Sequence, residues 1–147
     1  MNFGGTMTQV LVIEDNSQIG HARRTAQKLA ELHGFDTTDA GRVALVATEL
    51  ASNILKHATR GELHLRVLPR VSGAGIEMLA IDRAQGFDLQ ACLADGFSTG
   101  GTQGIGLGAV SRQTEVFDVY ADSRGAVLLT RLYPRSDKAR DLRIGVS

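Results

Sequence analysis

The 147-residue sequence contains no tryptophan, two prolines and one cysteine, and only 5% of its residues are aromatic. A lone cysteine, Cys92, excludes an internal disulfide and suits a reducing compartment. So few aromatics argue against a base-stacking platform for single-stranded nucleic acid. Charge of one sign is also missing, since 16 Lys+Arg balance 16 Asp+Glu. Neither nucleic acid nor an anionic membrane is therefore an expected partner. No apolar run approaches the ~20 residues that span a bilayer. The opening decamer MNFGGTMTQV lacks a basic stretch and a cleavage site, so no secretory leader is expected. A cytoplasmic location is the expectation; the sequence does not decide between Met1 and Met7 as the start. What is present is an ordinary globular composition, 43% hydrophobic and 22% charged. One domain over residues 1–147 is expected, with the polar stretch 135–147 as a frayed tail.

Periodicity divides the chain into short elements. Val10 to Ile13 reads as a strand. Asn16 or Ser17 is placed to cap a helix ending at Gly34, with Ile19, Ala22, Ala26, Leu29, Ala30 and Leu32 on its apolar face. Asp36, Thr37 and Thr38 offer caps for a second helix to about Ala58, with Val43, Val46, Ala47, Leu50, Ile54 and Leu55 facing inward. Glu62 to Leu68 alternates as a half-buried strand, and Ile76 to Ile81 is its hairpin partner across Ser72 to Gly75. Asp88 to Ala94 suggests a short helix, Gly96 to Gly104 a loop, and Ile105 to Thr114 a helix. Val116 to Ala121 and Ala126 to Leu132 form a second hairpin through Asp122 to Gly125. Hairpin strands with intervening helices predict an α+β two-layer sandwich, a mostly antiparallel sheet with helices on one face.

Three segments carry candidate chemistry. In ELASNILKHA, Glu49, Asn53 and His57 recur every four residues and share a helix face. A carboxylate and a carboxamide one turn apart suit a hydrated Mg²⁺ and a phosphate, and Lys56 could reach a phosphate oxygen. In IDRAQGF, Asp82 ends an apolar strand, where a carboxylate can accept a hydrogen bond from an exocyclic amine such as that of adenine. In GGTQGIGLG, glycines run from a loop into a helix, so backbone N–H groups can face an anion. This run is neither a Walker loop, lacking Gly-Lys-Ser/Thr, nor a dinucleotide fingerprint, lacking a preceding βαβ unit. Each segment alone has a plain alternative: a solvated helix edge, a turn and a linker.

In order and spacing, the three segments resemble the N box and the two glycine boxes of the Bergerat ATP-binding fold. That superfamily is named for gyrase, the 90 kDa heat-shock chaperone, histidine kinases and mismatch-repair ATPases (GHKL). The small size, DGFSTGGTQGIGLGAV and VFDVYADSRGAVLLTRLYP resemble the anti-sigma-factor serine kinases, in particular those of RsbT type. The resemblance covers about Val10 to Pro134. It implies ATP and Mg²⁺ as cofactors, Glu49 as the base or orienting carboxylate, and Asn53 as the Mg²⁺ ligand. It further implies Lys56 and His57 near phosphate and Asp82 on adenine. Gly86, Thr102, Gly104, Ile105, Gly106, Leu107 and Gly108 then surround the nucleotide. The implied activity is a protein serine/threonine kinase acting on a STAS-domain antagonist, with a PP2C-type phosphatase or a sigma factor as further partners. An anti-sigma factor and a nucleotide-blind partner-switching module are the competing readings. Two positions depart from the pattern: Ala84 replaces a glycine of the first glycine box, and Ala126 stands where a threonine is common. Both fall in the implied adenine pocket.

Val10 to Asn16 also resembles the first strand and acidic pair of a response-regulator receiver. The aspartate such a domain needs some forty residues on is absent, because a helix stands there. Cys92 reads as core. His21, His33 and His64 are scattered and form no metal set, and Arg23, Arg24 and Lys28 read as a solvated helix face.

Overall fold

A computed structural model describes residues 7–58, 60–71, 73–83 and 107–135. In chain order these form β1 (Gln9–Ile13), α1 (Ser17–Leu32), α2 (Thr37–His57), β2 (Gly61–Leu68), β3 (Gly75–Arg83), α3 (Leu107–Gln113), β4 (Val116–Asp122) and β5 (Gly125–Leu132). The five strands make one sheet in the order β1-β2-β3-β5-β4, every neighbouring pair antiparallel. The two-layer α+β sandwich expected from the hairpins is present.

Alternation decides which face is core. Leu63, Leu65 and Val67 of β2 stand opposite Ala80, Met78 and Ile76 of β3. All six are buried, together with Leu128 and Leu132 of β5 and Val119 of β4. Against this face lies α2, through Val43, Val46, Ala47, Leu50, Ala51 and Ile54, with α1 packed alongside through Ala22, Ala26 and Ala30. Alanines on the inner face of α1 let the two helices approach closely.

Two details of α1 differ from expectation. The Asn16 side chain makes no cap bond. Asp15 serves instead, its Oδ1 accepting from the Ser17 backbone N–H at 2.9 Å and from the Ser17 hydroxyl. Leu32 is 69% exposed rather than buried. The helix ends there, His33 donates back to Ala30, and Gly34 turns the chain away with φ +92°, so Leu32 is left beyond the α2 contact. The α2 cap is as expected: Asp36 Oδ1 accepts from the Asp39 N–H at 2.9 Å.

The expected short helix 88–94 and the loop 96–104 lie outside the described residues, as does the expected tail 135–147 except Arg135, which is hydrogen-bonded to Asp39, Glu115 and Arg112. Among the described residues, no helix is long and apolar enough to cross a membrane.

Candidate functional site

The 21 residues of α2 pack on the sheet and run from a polar cluster at one end to an open cavity at the other. The cavity encloses about 440 Å³, within the range of roughly 300–1,000 Å³ usual for small-molecule sites. Three segments line it. The end of α2 and the chain just after it give His57, Ala58 and Arg60. The end of β3 gives Asp82 and Arg83, and the β4–β5 turn gives Ala121, Asp122, Ser123, Gly125 and Ala126.

Asp82 is the half-buried carboxylate of this cavity. Its Oδ1 accepts a hydrogen bond from the Ala126 backbone N–H at 3.0 Å. Its Oδ2 has no hydrogen-bond partner among the described residues. Burial pushes its pKa above the ordinary 3.8, against the opposing effects of the Ala126 N–H and the nearby His57. One oxygen is thus fixed and the other is left in a partly desolvated position, able to accept from a ligand donor. The bond from residue 126 comes from its main chain, so alanine in place of threonine leaves this contact intact.

The turn opposite is pinned by Asp122. Its carboxylate accepts from the Arg124 backbone N–H at 2.7 Å, from the Arg124 guanidinium at 2.7 Å and from the Tyr120 hydroxyl at 3.1 Å. These bonds, those of Arg124 first, hold its pKa down at about 2.

On α2, Asn53 lies one turn before His57 and Glu49 one turn earlier still; both are half-buried. Asn53 Oδ1 is buried and makes no hydrogen bond among the described residues. A buried acceptor left unpaired costs about 1–3 kcal/mol. The amide oxygen is also the hard donor that Mg²⁺ selects, so this residue fits a magnesium role. Lys56 and His57 are exposed. Both lie in the last turn, where positive charge complements the helix dipole.

Of the candidate residues, the structure brings His57 and Asp82 together in the cavity wall. Glu49, Asn53 and Lys56 lie along the adjoining turns of α2 without lining the cavity. Leu107 and Gly108 open α3, which packs on α2; Leu107 is half-buried against the core and Gly108 is exposed. Gly86, Thr102, Gly104, Ile105 and Gly106, with Ala84, lie outside the described residues. Sequence reasoning missed Arg60, Arg83 and the role of the β4–β5 turn. Only the strand register, which sets Asp82 opposite Ala126 and Gly61, brings them to the site.

Among the described residues, a five-stranded antiparallel sheet, three helices on one face and an aspartate at the end of β3 define the class. The histidine kinase-like ATPase domain model matches residues 13–131, and the chain belongs to that family. The serine/threonine-protein kinase RsbT of Bacillus subtilis (strain 168) is 32% identical over 99 residues, which cover 67% of this chain and 74% of RsbT.

Proposed function

We propose that the protein is an ATP-dependent serine/threonine kinase of a partner-switching system and that its substrate is a STAS-domain antagonist. Asp82 carries the reading: a partly desolvated carboxylate, one oxygen held by a backbone N–H and the other without a hydrogen-bond partner among the described residues, suited to the amine edge of adenine. Family membership and the similarity to RsbT support the kinase chemistry.

In this reading the γ-phosphorus forms a bond to a partner hydroxyl oxygen as the bond to the β,γ-bridging oxygen breaks. The transferred group is nearly free in the transition state, so positioning and charge neutralisation do most of the work. Asp82 fixes the base. Asn53 would hold Mg²⁺, which when bound offsets negative charge on the phosphates. Glu49, one turn from Asn53, orients the partner hydroxyl and accepts its proton. Lys56 and His57 add positive charge nearby, and the glycine run from Gly104 to Gly108 supplies backbone N–H groups for phosphate.

The test is transfer of label from γ-labelled ATP to a purified STAS-domain protein. The reading expects label on the STAS protein with the unaltered kinase and about a hundredfold less with Glu49→Gln. ATP binding without any transfer to a STAS protein would remove the kinase assignment.

A further inference from the structure

Gly61 opens β2 at the point where the cavity wall meets the core. It stands opposite Ile13 on one side and Asp82 on the other. Its φ is not positive. The backbone there would accept any L-residue, so the demand for glycine is one of space. A Cβ placed on Gly61 would collide with the carbonyl oxygen of Ile81, lie 2.7 Å from Ile54 Cγ2 and 3.4 Å from Asp82 Cα. Neither close neighbour is a flexible side-chain end. The Ile81 carbonyl belongs to the peptide that carries Asp82. Ile54 is a β-branched core residue, 2% exposed and adjacent to Asn53.

We infer that Gly61 is a positioning residue of the nucleotide site: it has no side chain so that the last turns of α2 and the end of β3 can close on one another. The inference rests on the nucleotide reading above. Adding one methyl pushes in two directions at once. It displaces the peptide before Asp82, and with it the carboxylate held by the Ala126 N–H. It also lifts Ile54, and with it the turn that carries Asn53 and His57. Small displacements of this kind are costly in a site that works by geometry.

The β2–β3 hairpin holds its own control. Gly75, at the far end of the pairing and opposite Leu68, is just as crowded. A Cβ there would collide with Tyr133 Cε1, lie 2.6 Å from Tyr133 Cδ1 and 3.2 Å from the Leu132 carbonyl oxygen. Gly75 is therefore crowded at similar distances away from the site, chiefly by the ring of the partly exposed Tyr133, which can turn aside more readily than the backbone that Gly61 meets.

The experiment measures Mg-ATP affinity by calorimetry, and stability by urea unfolding, for the unaltered protein, Gly61→Ala and Gly75→Ala. Gly61→Ala is expected to lose stability, and Gly75→Ala to lose less, because the Tyr133 ring can yield. Only Gly61→Ala is expected to lose affinity, by about tenfold or more, while Gly75→Ala stays within about twofold of the unaltered protein. Equal affinity in Gly61→Ala, or an equal loss in Gly75→Ala, overturns the inference. If Gly61→Ala does not fold, the pair Ile54→Ala and Ile54→Ala/Gly61→Ala makes the same comparison with the Ile54 clash removed. The double variant is expected to bind at least about threefold more weakly than Ile54→Ala, and equality overturns the inference. An unaltered protein that binds no Mg-ATP is a distinct result, which removes the nucleotide reading and this inference with it.

Discussion

The two ends of α2 handle buried polar groups in opposite ways. At its start, Arg42 is 9% exposed and donates to Asp39 Oδ1 at 2.8 Å, to the Gln113 carbonyl at 2.7 Å, to the Tyr133 carbonyl at 3.2 Å and to Glu115 at 3.2 Å. Glu115 also accepts from the Tyr133 N–H and from Arg135, and Asp39 accepts from the Arg135 N–H. Among the described residues, Arg42 Nε is the one atom of this cluster left over. This knot ties α2, the end of α3 and the chain after β5 together. At the other end of α2, Asn53 Oδ1 and one oxygen of Asp82 have no hydrogen-bond partner among the described residues. The carboxylates titrate accordingly. Burial raises the pKa of Glu115, but the Tyr133 N–H, Arg135 and Arg42 outweigh it and hold the carboxyl below its ordinary 4.5. Burial raises Asp82, and there the Ala126 N–H and His57 do not outweigh it. Among the described residues, the polar groups are satisfied at one end and left open at the other, which supports the proposal of a ligand at the second end.

The largest expected effect breaks the satisfied end. Arg42→Met takes the guanidinium away from buried Asp39, which keeps the Arg135 N–H, and should lower unfolding free energy by about 3–5 kcal/mol, measured in urea. Mg-ATP affinity of the folded fraction should stay within about threefold, because the knot lines no part of the cavity. Next comes the unsatisfied end. Asp82→Asn should weaken Mg-ATP binding about 10- to 100-fold, the loss of one charged hydrogen bond. Its stability should equal or exceed that of the unaltered protein, since ionised Asp82 is a cost to the fold.

Asn53→Ala removes the unpaired oxygen. It should abolish the difference between ATP affinities measured with magnesium and with a chelator, with a stability change under about 1 kcal/mol.

The smallest effect is in pH. The folded-state pKa of Asp82 is raised, so its ionisation costs stability as pH rises from 3.8 through the folded value, and the cost persists at neutral pH. Glu115 has the opposite sign: its contribution is present above 4.5 and is lost as pH falls through its lowered value. Acid titration of Mg-ATP affinity should show a fall that begins above pH 3.8 and is absent in Asp82→Asn.

Much of this was legible from residue order alone. Alternation in Glu62 to Leu68 named the buried face of β2, and the apolar spacing of α2 named its core contacts. Asp82 and the Glu49–Asn53–His57 stripe could be read because their chemistry is local to one strand end or one helix face. Residues that meet through register were not legible. Nothing in the string around Gly61 states that it sits beside Asp82 and under Ile54, and Arg60, Arg83 and Asp122 reach the cavity only through strand pairing. The Asp15 cap was missed because Asp, Asn and Ser are equivalent candidates until the backbone is placed. Leu32 was missed because helix periodicity does not say where the neighbouring helix stops.

The most direct test is titration of Mg-ATP into the unaltered protein and into Asp82→Asn, side by side by calorimetry at neutral pH. Saturable one-site binding by the first and a loss of about tenfold or more in the second is the predicted result. No binding by the unaltered protein at millimolar ATP, or equal affinity in both, would contradict it.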